Sequence, residues 1–314
     1  MRFMLIVLAL AAASPAHAVS QPSEQPAMKR IALSFDDAPR GNGALMSGDE
    51  RAGVLLETLR VANTGPVVFF VVTGHLTMPG GRQRIERYAE AGHFIANHTH
   101  SHTWLSKTDT GEYLQDIDKA ESLLDGFSNR RAWLRFPFLD EGTPGTKRDA
   151  VRAGLQERGL MNGYVTVDNY DWYLDAKWKQ AVNEGRDIDM DALRTVYVEM
   201  LLGAIAFYDD VAINAIGRSP VHMLLLHEND IAALFVGDLV AALRNDGWEI
   251  VSPEAAYADP INDIVPETLM TRQGHIGALA VDAGLDPQTL THRAIEESQI
   301  DAMLRERKVF GSAK

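Results

Sequence analysis

Two short segments carry the residue types needed to hold a metal ion and to activate water beside it. Residues 33–39 read Leu-Ser-Phe-Asp-Asp-Ala-Pro and place Asp36 next to Asp37, whereas residues 98–102 place His98 and His102 four positions apart. Asp37 and the two imidazoles form a ligand set that zinc prefers, with one position left open for water. Asp36 then remains beside the metal as a base. The pattern predicts metal-assisted hydrolysis.

Further polar side chains follow apolar runs elsewhere in the chain. Asp168 and His227 each come directly after such a run, and Arg135 lies near the end of another. In a β/α barrel the carboxyl ends of the strands converge on one face, where catalytic groups collect. We therefore expect these side chains to share one rim with the aspartate pair and the histidine pair.

The elements that must position this rim alternate along residues 31–251. Seven apolar runs are strand candidates: Ile31–Phe35, Val67–Val72, Phe94–Asn97, Trp133–Phe136, Tyr164–Val167, His222–Leu226 and Glu249–Val251. The segments between them have helical apolar spacing, as in Arg51–Val61, Arg82–Ala91, Tyr113–Leu124 and Arg148–Arg158. Alternating strands and helices predict a parallel sheet with right-handed crossovers. About seven units favour an α/β fold of the distorted (β/α)7 TIM-like barrel type, with a helical insertion and C-terminal helices.

The barrel is expected to occupy residues 29–253. A helical insertion interrupts it at about 176–217, where Asp189–Ile216 carries many apolar residues. This insertion is either a lid over the site or extra packing on the barrel wall. Residues 254–314 are expected to form a helical extension, with helices within Pro266–Ala283 and Pro287–Arg305. This extension either wraps the barrel or forms a peripheral appendage.

The N-terminal residues predict export. Met1 and Arg2 precede an apolar run over residues 3–13, and residues 14–18 end in an A-x-A cleavage pattern. The run is shorter than the roughly 20 residues that span a bilayer. We therefore expect residues 1–18 to be a cleaved signal peptide and residues 19–28 a flexible lead-in. An N-terminal membrane anchor or a wrongly assigned start is the alternative. The mature protein would be periplasmic or secreted, without a membrane anchor.

Composition excludes several classes of function. The chain of 314 residues has a net charge of −13, which argues against nucleic acid or an anionic membrane as its partner. It contains no cysteine, so a disulfide framework, a thiolate metal site and a cysteine nucleophile are excluded. An apolar fraction of 46% is ample for a core. Nothing in the sequence indicates a protein partner.

Over residues 30–251 the chain resembles the polysaccharide deacetylase family, the NodB-homology domain of carbohydrate esterase family four. Five segments carry the resemblance, in the family's order. Ser34–Asp37 resembles T-F-D-D, 92–102 resembles G-H-x-I-x-N-H-[ST]-x-x-H, Arg135–Phe138 resembles the start of R-x-P-x-G, Asp168–Trp172 resembles D-x-x-D-W, and Leu225–His227 resembles L-x-H. Five ordered matches are specific for the fold and the metal site, and less specific for the substrate.

The resemblance implies a role for each residue of the metal centre. Asp37, His98 and His102 would bind Zn²⁺, although Co²⁺, Ni²⁺ or Mn²⁺ also suit such a site. Asp36 would be the general base for water at the metal, and His227 would be the acid that protonates the leaving amine.

Two further residues are implied to hold the base and the acid in place. Arg135 would pair with Asp36 and keep that carboxylate ionised. Asp171, or less favourably Asp168, would orient His227 and keep it protonated near neutral pH. Both roles come from the family resemblance and are chemically sensible.

The resemblance also implies a substrate slot. Trp172 and Leu225 would wall a small apolar space for an acetyl methyl group, and the backbone N–H of Phe138 would stabilise the oxyanion together with the metal. The chain departs from the family pattern around this slot: Ala38 and Leu139 replace the expected glycines, and Tyr170 and Tyr173 add aromatic bulk. These departures bear on the substrate, and leave the metal ligands intact.

The implied function is removal of acetyl groups from N-acetylated glycans, such as chitin-type or peptidoglycan sugars. The first alternative is the same hydrolysis on a small amide or acetyl ester beneath a helical lid. The second is a glycan-binding module without activity on the same fold, since fold alone does not determine function. The presence of both Asp36 and His227 disfavours this last possibility.

Overall fold

The computed structural model describes residues 28–270 and 273–313. The expected signal peptide, residues 1–18, and all but the last residue of the expected lead-in, 19–28, lie outside these ranges. Within the described ranges, no helix is both long enough and apolar enough to cross a membrane.

Nine strands form two sheets in the part of the chain that the structure describes. The strands are β1 (Arg30–Ala38), β2 (Val68–Val71), β3 (Phe94–Asn97), β4 (Arg130–Leu134), β5 (Met161–Asn162), β6 (Arg186–Ile188), β7 (Val221–His227), β8 (Glu249–Ile250) and β9 (Phe310–Ala313). The larger sheet has seven strands in the order β5-β4-β3-β2-β1-β7, and β8 pairs with the start of β1. All of its pairings are parallel. The predicted α/β fold, a distorted (β/α)7 TIM-like barrel, is thereby confirmed.

Ten α-helices connect and cover the strands within the described ranges. The helices are α1 (Gly48–Val61), α2 (Gly81–Glu90), α3 (Thr110–Leu124), α4 (Gly145–Glu157), α5 (Asp171–Asn183), α6 (Met190–Ile216), α7 (Asp230–Asn245), α8 (Pro253–Tyr257), α9 (Gly274–Asp282) and α10 (Glu297–Glu306). Their ends follow local chemistry. Ser47 and Glu50 form a capping box that starts α1, and Gly217 ends α6 with a φ of 77°.

The central strands are buried on both faces. All four residues of β2 and all four of β3 are buried, as are Ile31 to Asp36 within β1. Such unbroken apolar runs are typical of parallel sheets covered by helices. Their side chains, among them Phe35 and Phe69 stacked at 5.2 Å between ring centres, form the main core.

One predicted strand is misplaced. The sequence indicates a fifth strand at Tyr164–Val167, whereas β5 lies at Met161–Asn162 and Val167 makes only a single bridge to Leu224 of β7. Gly163 explains the change, because a Cβ there would lie 2.8 Å from the Phe70 ring. The chain therefore bends past this ring, leaves β4 and reaches β7, where the Leu225 N–H donates to the Val167 carbonyl at 3.2 Å. This irregular segment joins the two edges of the sheet.

The expected insertion at 176–217 contains more than helix. It begins within α5, passes through β6 and continues as the 27-residue helix α6. One face of α6 is buried, including Leu193, Tyr197 and Leu201, and the helix packs against α7 and α9. This is the position of a barrel-wall helix.

The C-terminal segment is less helical than the sequence indicates. Among the described residues of Pro266–Ala283, α9 is the only α-helix, and Pro287–Arg305 contains two short 3-10 turns before α10. The segment ends in β9, which pairs antiparallel with β6. It is also bound to the barrel, because the His275 N–H donates to the Val165 carbonyl at 2.7 Å and the Tyr170 N–H donates to the Ala294 carbonyl at 2.8 Å.

Candidate metal centre and its surrounding pocket

The register of the sheet brings the predicted side chains to one rim. Asp36 of β1 lies directly opposite His227 of β7, and Ala38 of β1 lies opposite Val71 of β2. Val71 in turn lies opposite Asn97, the last residue of β3, so that His98 follows at the same level. The carboxyl ends of β1, β3 and β7 thus supply the aspartate pair, the candidate ligand His98 and the candidate acid His227.

Asp37, His98 and His102 form a cluster whose donor atoms all lie within 4.8 Å of one another. His102 Nε2 is 3.0 Å from Asp37 Oδ1, and His98 Nε2 is 3.6 Å from the same oxygen. Ligand atoms about 2.0 Å from a tetrahedral zinc ion would be roughly 3.3 Å apart. Burial alone would raise the pKa of Asp37, but contacts with His102 and His98 hold it well below its usual range.

The orientation of His98 suits a metal ligand. Its Nδ1 lies 2.9 Å from the Arg135 carbonyl oxygen, and only a protonated Nδ1 makes that contact favourable. The lone pair of Nε2 is then directed toward Asp37. A second hydrogen bond that fixes the tautomer in this way is a regular feature of metal-binding histidines. The donor set and its fixed tautomer therefore fit a divalent cation.

Asp36 is buried beside this cluster and is held by Arg135. Arg135 Nη1 donates to both Asp36 carboxylate oxygens, at 2.9 and 3.1 Å, and Asp36 Oδ2 is 3.8 Å from His98 Nε2. The guanidinium also donates to the Gly163 carbonyl and, through Nη2, to the Tyr257 hydroxyl at 3.1 Å. Burial disfavours the charge on Arg135, yet Asp36 and Tyr257 raise its pKa above the usual range.

His227 faces the cavity with its other side tied to Asp171. Its Nδ1 lies 2.6 Å from Asp171 Oδ1, and its backbone N–H donates to Asp171 Oδ2 at 2.9 Å. The carboxylate of Asp171 is fully buried and also accepts from the Asn229 amide at 3.2 Å. Burial opposes protonation of the imidazole, but the Asp171 charge and hydrogen bond outweigh it and raise the pKa of His227 to about 9. The imidazole is therefore an acid at neutral pH.

The other carboxylate of this segment is placed differently. Asp171, and not Asp168, contacts His227 Nδ1. Asp168 lines the cavity, where burial raises its pKa to about 7. Asp171, which the sequence analysis favoured over Asp168, is the first residue of α5 and is the one of the two whose carboxylate contacts His227 of β7.

A cavity of about 500 Å³ opens over the cluster. All of the predicted site residues line it except Arg135 and Asp171, which lie behind Asp36 and His227. Leu225 is buried in its wall, whereas Trp172 and Phe138 are 37% and 41% exposed. Large apolar side chains with that exposure at a cavity mouth are suited to contact a ligand face.

Three residues near the cavity were missed in the sequence. Trp104 stacks on Phe138 with ring centres 4.1 Å apart, and its position two residues after a candidate ligand is a signal that would have found it. Tyr257 supports Arg135 from α8, far along the chain, and no local motif indicates it. Arg40 lines the cavity just beyond the aspartate pair.

Backbone strain is concentrated around the cluster. Asp37, His102 and Phe138 have φ angles of 66°, 54° and 59°, in the left-handed region that favours glycine. Leu139, which stands where the family pattern has glycine, has a φ of 52° and so keeps the conformation that a glycine adopts more easily. Such strain persists where surrounding structure enforces it, often at functional sites.

Part of the chain matches a known protein family. Residues 23–158 match the family model described as polysaccharide deacetylase. The matched residues make up less than half of the chain, which over this stretch is similar to the polysaccharide deacetylase family. The match includes both candidate histidine ligands, the aspartate pair and Arg135. Asp171 and His227 lie beyond the matched residues.

Individual relatives are more distant. A peptidoglycan-N-acetylglucosamine deacetylase of Bacillus cereus is 31% identical over 145 residues, which are 45% of this chain and 46% of that protein. The chain thus aligns with slightly less than half of that deacetylase. A peptidoglycan deacetylase structure from Bacillus subtilis is 20% identical, with 73% of this chain and 89% of that chain covered and a TM-score of 0.47. A family 4 carbohydrate esterase from Streptomyces lividans, in complex with acetate, is 15% identical, with 73% and 95% covered and a TM-score of 0.46.

Proposed function

We propose that this protein is a metal-dependent hydrolase that removes acetyl groups from N-acetylated glycans. The observation that carries the proposal is the arrangement of three metal-ligand side chains between a buried carboxylate, Asp36, and an imidazolium, His227. A base and an acid on either side of a cation site are the groups that amide hydrolysis requires.

Asp37, His98 and His102 would hold the cation, and zinc is the ion that this donor set favours, with Co²⁺, Ni²⁺ and Mn²⁺ as other candidates. A divalent ion supplies Lewis-acid polarisation of the acetyl carbonyl and makes water more acidic. The remaining chemistry belongs to the side chains of the chain itself.

Asp36 would accept the proton of the attacking water. Its carboxylate is oriented by two hydrogen bonds from Arg135, which is itself held by Tyr257 and by a backbone carbonyl. Because Arg135 is buried and presents a rigid fork of donors, it limits the ways in which the Asp36 carboxylate can turn. Arg135 is therefore a positioning residue in this proposal.

His227 would donate a proton to the leaving amine. With a pKa of about 9 it carries that proton at neutral pH, and the contact of Nδ1 with Asp171 leaves Nε2 free for the substrate. Proton donation to nitrogen is needed because an amide anion is a very poor leaving group. Asp171 would position the acid and maintain its charge.

The pocket walls would select the acetyl group and the sugar. Leu225 and Trp172 would border the methyl group, and the Phe138 N–H would donate to the developing oxyanion. The half-exposed rings of Trp172 and Phe138, with Trp104 stacked behind Phe138, favour a glycan substrate because sugar faces pack well on aromatic rings. The Bacillus cereus relative, a peptidoglycan-N-acetylglucosamine deacetylase, supports the same substrate class.

Two earlier alternatives receive less support. A closed pocket for a small amide or acetyl ester required a helical lid, but α6 packs against α7 and α9 and contributes no residue to the cavity lining described above. A module without activity would not need the paired Asp171–His227 acid.

We also propose that the protein is exported and that residues 29–253 and 254–314 form one unit. The A-x-A pattern at residues 16–18 supports export, and the contact of Tyr257 with Arg135 supports the single unit. N-terminal sequencing of the mature protein from the source cell tests the first point. The expected first residue is near Val19, whereas an intact Met1 would contradict export by cleavage.

The activity is tested by acetate release from N-acetylglucosamine oligomers by the zinc-loaded protein, compared with the same protein in excess chelator. The expected result is release only with metal. Release from 4-nitrophenyl acetate without any release from the oligomers would overturn the glycan assignment and favour a small-ester hydrolase. No release from either compound, with zinc bound, would overturn the proposed reaction.

A further inference from the structure

A buried group of polar and charged side chains lies between the loop that follows β1 and the turn that follows β7. We call it the Glu228 network, and its members are Arg51 of α1, Tyr88 of α2, Glu228, and Asp230 at the start of α7. All four side chains are buried. Glu228 comes directly after the proposed acid, His227, but the proposed reaction assigns no role to any member of the network.

The Glu228 carboxylate accepts four hydrogen bonds. Arg51 donates to both of its oxygens, from Nε at 3.1 Å and from Nη2 at 3.2 Å, and the Tyr88 hydroxyl donates to Oε1 at 2.8 Å. The fourth donor is the backbone N–H of Arg40, which lies 2.6 Å from Oε2. A carboxylate has about four acceptor sites, so those of Glu228 are filled. Glu228 thus binds the backbone three residues after Asp37.

Arg51 holds the same backbone segment from its other side. Its Nη2 also donates to the Arg40 carbonyl at 2.8 Å, and its Nη1 donates to Asp230 Oδ1 at 3.2 Å. The second Asp230 oxygen accepts the N–H groups of Leu45 and Met46 at 2.9 and 3.1 Å. The loop between β1 and α1 is therefore bound at several points to the turn between β7 and α7.

A network of this kind contributes defined geometry more than stability. Buried charged groups lose hydration, and an apolar group of similar shape often gives an equally stable protein. Once complete, however, the network is stiff, because several directional bonds hold each member. The segment beside it needs such support, since Asp37 has a φ of 66°, an unfavourable conformation that persists only where neighbouring structure enforces it.

We propose that Glu228 and Arg51 are positioning residues of the metal centre, which hold Asp37 in place among the three candidate ligands before an ion binds. This inference rests on the proposed function and deepens it. The connection runs along the chain from Arg40 and also across the sheet, where the Glu228 N–H donates to the Asp36 carbonyl at 3.1 Å. A ligand that must first be ordered binds its ion more weakly, because the ordering opposes binding.

The test measures the zinc affinity of the protein and the visible absorption spectrum of its cobalt-loaded form, which reports the geometry of the ligands. Glu228→Gln keeps the side-chain length, but its amide NH2 is a donor and cannot accept from the same four groups. Arg51→Lys keeps the charge but lacks the fork that reaches both Glu228 and the Arg40 carbonyl. Both variants should bind zinc roughly tenfold to a hundredfold more weakly, the usual effect of losing a group that supports metal ligands, and should change the cobalt spectrum.

Tyr88→Phe is the matched control, because it removes one buried hydrogen bond from the same carboxylate. It keeps the bond between Glu228 and the Arg40 N–H, and it keeps the ring stacked on Phe69 with centres 3.9 Å apart. Its Tm should fall, whereas its zinc affinity and cobalt spectrum should be those of the wild type. Wild-type values in both Glu228→Gln and Arg51→Lys, or the same changes in Tyr88→Phe, would overturn the inference.

Hydrogen exchange in the metal-free wild type decides the question without a variant, should the substitutions prevent folding. The Arg40 N–H should exchange as slowly as the amides within β1, because its acceptor on Glu228 is in place without the ion. Fast exchange that becomes slow only when zinc is added would overturn the inference.

The proposed reaction and the positioning role fail in different ways. If the wild type binds zinc and passes the tests above but releases no acetate from N-acetylglucosamine oligomers, the reaction is wrong and the positioning role stands. If the wild type binds neither zinc nor cobalt, the metal site and this inference are both wrong.

Discussion

Replacement of Asp171 by asparagine isolates the electrostatic part of the proposed acid. Asparagine keeps the size of the side chain, so it retains an oxygen for the His227 or Asn229 donors, but it removes the negative charge 2.6 Å from His227 Nδ1. Burial, which lowers the pKa of the imidazole, is then no longer opposed by the negative charge of Asp171. The pKa of His227 should fall from about 9 to its ordinary value of 6.5 or below.

The size of the effect follows from that shift. A change of about 2.5 pKa units corresponds to about 3.4 kcal/mol of lost stabilisation of the imidazolium. At pH 8 the protonated fraction of His227 would fall from about 90% to about 3%, roughly a thirtyfold loss of the acid form. The alkaline limb of the pH profile of kcat/KM should therefore move down by at least about two pH units.

The assay is acetate release from N-acetylglucosamine oligomers, followed from about pH 6 to about pH 10 with metal content measured at each pH. Asp175→Asn provides a matched control, since Asp175 is a second buried carboxyl on α5 and its pKa is raised to about 6 by burial. The control should keep the alkaline limb of the wild type. An unmoved limb in Asp171→Asn, or the same shift in both variants, would refute the role of Asp171.

Two further predictions concern stability. Burial lowers the pKa of His93 to about 4, below the 6.5 of an unperturbed histidine, and its Nδ1 accepts the Val67 N–H at 3.3 Å. The His93 contribution to the free energy of unfolding should therefore be complete above about pH 6.5 and should fall by up to about 3 kcal/mol as the pH drops toward about 4. Urea unfolding of chelator-treated protein measures this free energy at each pH. If the free energy of unfolding of His93→Gln depends on pH as steeply as that of the wild type, the prediction is wrong. Removal of the metal should also lower Tm, because an ion at 100 times its Kd stabilises the folded protein by about 2.7 kcal/mol; a Tm that does not respond to zinc contradicts the site.

The sequence predicted the site best where a short segment contains both the functional side chains and the strand that positions them. Asp36 and Asp37 lie at the end of β1, and His98 follows β3 directly. The change from apolar to polar residues at each of these points already indicated that the side chains share one rim. Parallel strands end on the same side of a sheet, so Asp36 and His227 were expected at one rim, and the structure places them directly opposite each other. The α/β class was predictable for the same reason.

The misplaced fifth strand shows where local patterns fail. Tyr164–Val167 has the apolar, β-branched character of a strand, but its hydrogen-bonding partners are set by distant residues. Gly163 must pass close to the Phe70 ring, and the chain then turns from β4 toward β7. Nothing within the segment itself specifies that turn.

Contacts between residues far apart in the chain also could not be predicted from the sequence. Tyr257 reaches Arg135 across 122 positions, and the Glu228 carboxylate reaches the Arg40 backbone across 188. Sequence motifs describe short spacings, so they could not indicate either of these contacts. The length of α6 was indicated by its apolar residues, but only its packing against α7 and α9 distinguishes a barrel wall from a lid.

The decisive comparison is acetate release and zinc content in Asp36→Asn and Asp37→Ala, each measured beside the wild type with N-acetylglucosamine oligomers. Asp36 contacts Arg135 and flanks the cluster, whereas Asp37 belongs to it. Asp36→Asn should keep zinc and lose release by a factor of at least about a hundred, the usual contribution of a general base. Asp37→Ala should lose both zinc and release. Full release by Asp36→Asn, or zinc bound as tightly by Asp37→Ala as by the wild type, would contradict the assignment of base and ligand.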